Sequence, residues 1–368
     1  MKQIYKWIRR FIPLYSLVIY AITLLSTVTL IIERVSTPYA DFINSTFSRA
    51  GRVVMGYLFG FVPFSIAELL ILTSPIWIAL LIYFGVKMAK KSKESTIRFI
   101  SFVTSVLCFI FISFVWTYSS GYYTTTIDKK LNLQRESIEK EELYETSLWL
   151  VDNLNRLTGE IDYDDSNASI MPYSYNDLSK KVYFGYEAFT EKYGVLHNFA
   201  SRIKPIMLSE PMTYTHISGI YSFMTGEANL NVNFPDFIVA SSAAHEMAHQ
   251  RGVAREEEAN FVAFMVCISS DDAFLNYSGY LDVFNSVSSA LYSADSELYK
   301  DVLSKLDKRV VKDIISYGEF FEKYADSKAA DITDSMNDKY LQMNGQEQGS
   351  RSYGMVTDLC VAYYKSIK

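Results

Sequence analysis

Residues 12–32, 69–86 and 99–116 form three stretches without a single charged side chain. An uncharged apolar helix of such length spans a hydrocarbon core of about 30 Å, so a chain carrying three of them folds in two solvents at once. Pro75 interrupts the second stretch, which neighbouring helices tolerate inside a membrane. Lys2, Lys6, Arg9 and Arg10 precede the first, whose length and lack of a small-residue cleavage site predict a retained anchor rather than a removed signal peptide. Residues 53–66 are also apolar but short, and Gly56, Gly60 and Pro63 within them suggest an interfacial or re-entrant segment.

Charge is divided unevenly along the chain. Residues 1–120 hold 12 Lys/Arg against 4 Asp/Glu, whereas the remainder holds 23 against 37. With three spans, the basic N-terminus and the loop bearing Lys87, Lys90, Lys91, Lys93 and Arg98 share the cytoplasmic side, as the positive-inside rule requires. The predicted organisation is a membrane domain over residues 1–118 and an extracytoplasmic domain over residues 119–368, in a multi-pass protein of the cell membrane. An acidic folded part excludes nucleic acid as a partner. Cys108, Cys267 and Cys360 lack any paired spacing and read as small buried hydrophobes.

The fold class expected is α+β, mostly helical with a small sheet. Residues 131–157 carry helical periodicity and 161–174 read as loop. The string GEANLNVNF from Gly226 alternates, placing Ala228, Leu230, Val232 and Phe234 on one side and Glu227, Asn229, Asn231 and Asn233 on the other, the pattern of a half-buried strand. Pro235 ends it, and Asp236 is placed to cap a helix over residues 236–250, terminated by Gly252 in the left-handed region. A second helix is expected over residues 255–268, followed by helices broken at Gly279, Ser293, Asp307, Ser327 and Gly345.

On the first of these helices lies HEMAH, with His245, Glu246 and His249 in HExxH spacing. Residues i and i+4 share a helical face, so both imidazoles reach one zinc ion, and the intervening carboxylate is left to take a proton from metal-activated water and pass it to a leaving amine. A catalytic zinc site needs a third protein ligand and an open position. Glu256, Glu257 and Glu258 open the next helix, where three carboxylates also suit the helix dipole as a solvated first turn. Glu256 shares a stripe of small and polar residues with Asn260, Ala263 and Cys267, which favours it as the ligand, with Glu257 as the alternative.

These residues resemble the zincin metallopeptidases, and more narrowly the gluzincins, whose third ligand is a Glu in an ExxxD pattern; Glu256 to Asn260 is similar to it as ExxxN. The string HEMAHQRGVAREEEANF also resembles an uncharacterised family of bacterial membrane proteins, domain of unknown function 3810, with three N-terminal helices and a zincin-like domain. The resemblance implies a zinc-dependent peptidase with His245, His249 and Glu256 as ligands of one Zn²⁺ and Glu246 as general base. Two departures stand out: Asn260 replaces the usual Asp, and only six residues separate His249 from Glu256. By the same resemblance the strand at Glu227, Asn229 and Asn231 is the edge that binds substrate, by strand addition. Tyr353 and Arg351 are candidates for an oxyanion stabiliser, as is His216, while His197 is left as a surface or core histidine.

The function expected is thus a membrane-anchored zinc metallopeptidase hydrolysing peptide bonds of extracytoplasmic peptide or protein substrates. The alternative is a degenerate zinc-binding sensor or peptide-binding membrane protein. A transporter is disfavoured, because the three stretches themselves contain no acidic residue and no inverted repeat is visible.

Overall fold

The computed structural model describes residues 9–349 and 355–368. Helix α1 (Leu14–Val35) is followed by α2 (Thr37–Ile43), a π-helical turn at Asn44–Ser48 and α3 (Arg49–Gly60). Two long apolar helices come next, α4 (Ile66–Lys91) and α5 (Lys93–Thr117). Serines cap both: Ser65 accepts from the Glu68 amide and Ser92 from the Ser95 amide. The helices α1, α4 and α5 are long and apolar enough to cross a membrane.

Helix α1 runs parallel to α5, with Tyr20 Oη donating to the Ser101 carbonyl at 3.1 Å near one end and Trp116 Nε1 donating to Ser26 Oγ at 2.8 Å near the other. Helix α4 returns in the opposite direction and packs on α5. The ends of the bundle therefore differ. Arg10 pairs with Glu94 at one; at the other, α5 leads through Ser119–Tyr122 straight into the remaining domain.

That domain contains α6 (Lys140–Leu157), a two-residue hairpin of β1 (Asp162–Tyr163) and β2 (Ser169–Ile170), α7 (Tyr175–Tyr193), and a sheet of β3 (Ile203–Pro205), β4 (Gly219–Ser222) and β5 (Glu227–Leu230). Helices α8 (Asp236–Gln250), α9 (Glu256–Ser269) and α10 (Ala273–Ala294) follow, then α11 (Ser296–Ser304), α12 (Lys308–Glu322), α13 (Lys328–Met343) and α14 (Val356–Ile367). The core is built where α8, α9 and α10 pack on one another and on α6, α7 and α14. Tyr186, Phe189, Phe261, Phe264 and Phe284 fill it, and the alanines of α8 let its neighbours approach closely.

Several expectations are corrected. Helix α6 starts at Lys140 rather than near residue 131, where a capping box between Glu139 and Glu142 sets its first turn. Asp236 does not cap α8; its carboxylate accepts from the Met171 amide and ties the hairpin to the helix start. Gly279 does not break α10. It lies inside the helix because a Cβ there would stand 2.5 Å from that of Cys267, so glycine is the condition for close packing of α9 and α10.

The largest correction concerns the sheet. Its strand order is β3-β5-β4, with β5 parallel to β3 and antiparallel to β4. The strand with Glu227 and Asn229 is central and wholly buried, not an edge, and Asn231 is buried just beyond its end. Its polar face is covered by the segment between α3 and α4. Glu227 accepts from the amides of Ile66 and Ala67, and Asn229 Oδ1 accepts from Ser65 Oγ at 2.6 Å. Asn231 donates to Thr213 Oγ1 and the Ile217 carbonyl. Alternating polarity marks solvent only where the polar face has no polar partner, and here it has several.

Residues 53–66 likewise take part in the domain. Helix α3 lies on β5, and a Cβ at Gly56 would stand 3.0 Å from the ring of Phe199. Lys204, buried in β3, donates its ammonium to the carbonyl groups of Phe59, Gly60 and Val62 at the end of α3.

Candidate metal centre

Helices α8 and α9 are joined by a tight turn at residues 251–255, in which Gly252 has φ +92°. The turn is held from outside. Asn44 Nδ2 donates to the Gly252 carbonyl at 3.1 Å, and the buried Arg52 guanidinium donates to Asn44 and to the Thr117 carbonyl. Residues around the apolar helices thus fix the angle at which α9 returns against α8.

The turn brings Glu256 onto the HEMAH face. His245 Nε2 and His249 Nε2 stand 3.0 Å apart, and Glu256 Oε2 lies 3.3 Å from the first and 3.4 Å from the second. Donors about 2.0–2.1 Å from a tetrahedral zinc ion are separated by roughly 3.3–3.4 Å, so the two edges to Glu256 match such an ion and the edge between the histidines is slightly shorter. Glu256 Oε2 is buried and accepts no hydrogen bond, an arrangement that a bound cation resolves. Burial raises the carboxyl of Glu256, but the two imidazoles overcome this and hold it well below the usual carboxylate range.

The tautomer of His249 follows from its other nitrogen. Nδ1 lies 2.7 Å from the Val253 carbonyl, which only an N–H can satisfy, leaving the Nε2 lone pair for the centre. Tyr118 Oη lies 3.1 Å from the same Nδ1. Burial depresses His249, and Glu256 beside it reverses the sign, bringing it up to about 9.

Glu246 is oriented differently. It points toward β4, where a Cβ at Gly219 would fall 2.6 Å from its Cγ, so the absence of a side chain at 219 makes room for it. Its Oε2 is buried without a hydrogen-bond partner. Burial raises its carboxyl, and the charges of His245 and His249 oppose the rise. One carboxylate is therefore drawn into the triangle while another is held beside it with its Oε2 unpartnered.

The other two glutamates of the triplet serve elsewhere, and neither is solvated. Glu257 accepts from Gln346 Nε2 at 2.7 Å, and Glu258 accepts from the Ile127 amide and pairs with Arg255. Glu257 thus lies outside the triangle. Among the weaker candidates, His216 lines the same cleft but its Nε2 bonds the Tyr324 carbonyl at 2.9 Å. His197 lines a separate cavity with Arg49 and Arg251. Tyr353 and Arg351 fall outside the described residues.

Three features were missed from the sequence. The exposed edge belongs to β4, whose Ile220 points outward beside the cleft. Tyr118 follows directly on the last apolar helix and touches a metal-competent histidine. Asp282 of α10 lines the cleft beside His245, and burial lifts its carboxyl to about 6 against the pull of that histidine. Only the edge left a trace in the sequence, as the glycine of SGIYS.

A family model described as protein of unknown function (DUF3810) matches residues 39–361. No curated protein and no solved structure matches the chain.

Proposed function

The chain belongs to the DUF3810 family of proteins of unknown function, and we propose that it is a membrane-anchored zinc metallopeptidase with one metal ion held by His245, His249 and Glu256. The observation that carries this reading is the pairing of a three-donor triangle of zinc dimensions with a free, buried carboxylate at its side. Bound there, zinc would supply Lewis-acid polarisation of a peptide carbonyl and lower the pKa of water. Glu246 accepts the proton on Oε2 and delivers it to the departing nitrogen. Its burial suits that task, because a carboxyl raised in pKa takes up the proton of water more readily than a bare surface carboxylate, and the departing nitrogen is a far stronger base to which it can pass that proton.

The Val253 carbonyl and Tyr118 orient His249, and Glu258 with Arg255 anchors the first turn of α9 so that Glu256 meets the histidines. The exposed edge of β4 is the place for an extended substrate, paired by backbone hydrogen bonds above Glu246. The fine topology belongs to the same proposal. The Lys- and Arg-rich end of the apolar bundle faces the cytoplasm and the domain carrying the metal centre lies outside.

The test uses the full chain purified in lipid nanodiscs. Metal analysis is expected to return one zinc per chain, lost in His245→Ala. Glu246→Gln is expected to retain the metal and to lose about 10²-fold or more of cleavage against a peptide library. Metal binding without cleavage by the unaltered chain would establish the zinc-binding sensor instead.

A further inference from the structure

Helix α13 has two opposed faces. Toward the protein it presents Ala330 and Leu341, both buried, together with Asp334 and Asn337, which line the cleft that also contains His245 and Glu246. Diametrically across the helix, Ile332, Met336 and Met343 form a stripe at i, i+4 and i+11, with exposures of 63, 67 and 75%. Lys328 and Lys339 flank that stripe. So this helix is a wall of the metal-site cleft whose outer side is apolar and uncovered by the other described residues.

The position of α13 identifies what covers it. Its last residue, Met343, accepts through its carbonyl from Arg34 Nη2 at 3.0 Å, and Arg34 ends α1. Tyr340 stacks edge-on against Phe114 in the last turn of α5, with ring centroids 6.4 Å apart. The last turn of α13, with Met343 at the end of the exposed stripe, therefore lies at the level where two of the apolar helices end. A second apolar tip lies at the corresponding end of α4. There the Glu68 carboxylate accepts from the amides of Met207 and Leu208, and both side chains are exposed. Solvent-facing methionines and isoleucines next to three helix ends are stabilised by an acyl-chain boundary and not by water.

We infer that α13 is an interfacial helix: the stripe of Ile332, Met336 and Met343 rests in the headgroup and upper acyl region of the bilayer, while its other face closes the metal-site cleft. Lys328 and Lys339 extend from the edges of the stripe toward lipid phosphates. The cleft then opens at the lipid surface, and the substrate class is the membrane-proximal segment of a bilayer-anchored polypeptide. This inference rests on the proposed membrane crossing of α1, α4 and α5, and its substrate class rests on the proposed peptidase activity.

The experiment places a single environment-sensitive fluorophore on the full chain, with Cys108 replaced by serine, reconstituted in phosphatidylcholine vesicles. Labels are attached in turn at Met336, at Asp331 on the polar flank of α13, and at Ile78 in the middle of α4. One quencher is a nitroxide near the top of the lipid acyl chain and the other is iodide in the buffer. The expected result is strong lipid quenching and loss of iodide quenching at Met336, with the reverse at Asp331. A label at Met336 quenched by iodide as strongly as the one at Asp331, while the Ile78 label is silent to iodide, overturns the interfacial helix and leaves the membrane crossing standing. Insensitivity of Met336 to both quenchers also overturns it, since a protein surface then covers the stripe. Iodide quenching at Ile78 removes the membrane crossing itself. The substrate class is read separately: one peptide sequence, carried on a membrane anchor or free in solution, is expected to be cut faster when anchored, and equal rates overturn that part.

Discussion

The apolar bundle and the domain behind it are built inside out relative to each other. In α1, α4 and α5 the large side chains such as Leu24, Ile71, Ile82 and Leu107 are exposed, and what is buried between helices is Ser16, Ser26, Thr29, Ser101 and Ser105. In the domain the order is the ordinary one, with Leu150, Leu154, Phe261, Phe264 and Phe284 inside. Burial of apolar area stabilises contacts only where the alternative is water. Between these helices, close approach of small residues and hydrogen bonds such as that from Tyr20 to the Ser101 carbonyl perform that task, as the proposed membrane crossing requires. Both regions also use one shared device, a small residue where two helices must touch.

That parallel can be broken at either end. Gly279→Leu is expected to have the larger effect, because the new side chain starts 2.5 Å from Cys267 Cβ in a core without slack. A loss of about 3 kcal/mol, measured by denaturant unfolding of the reconstituted chain, is the expected size. Ser101→Leu wedges α1 from α5, and about 1–2 kcal/mol in detergent-induced unfolding is expected. A stabilising outcome would mean that the bundle is held by apolar burial after all, as the domain is.

Tyr118 stands on the seam between the two regions, at the end of α5 and against His249. Tyr118→Phe is expected to weaken zinc about tenfold without changing the fold, read from competition with a chelator. An unchanged affinity would show that Val253 alone orients the ring. The smallest effect is a pH dependence confined to the metal-stripped domain. His249 is raised from 6.5 to about 9, so its stabilising pairing is complete below 6.5 and is lost as pH rises through about 9. Glu256 is lowered, so its contribution is present above 4.5 and is lost as pH falls further. The melting temperature of the stripped chain is expected to be highest between 4.5 and 6.5, and this maximum to vanish when zinc is restored.

Much of the centre is legible in the sequence because its chemistry is local. HEMAH places two imidazoles on one face by helical period alone, and the stripe through Glu256 and Asn260 already favours that glutamate over Glu257. The exposed edge at β4 was not legible, because β4 and β5 are both short and the more regular alternation belongs to the central strand. Asn229 and Glu227 of that strand look solvated in one dimension and are hydrogen-bonded to a helix start more than 150 residues earlier.

The order of residues by itself determined which segments are apolar enough for lipid, where the metal-competent helix begins and ends, and which side chains share its face. These depend on length, period and the chemistry of neighbours a few positions apart. Tertiary structure alone decided that Glu256 closes the triangle, that Tyr118 reaches it from the bundle, and that α13 walls the cleft with its polar side while leaving its apolar side outward. Each of those depends on surfaces distant in the chain meeting, and on which solvent covers what they leave exposed.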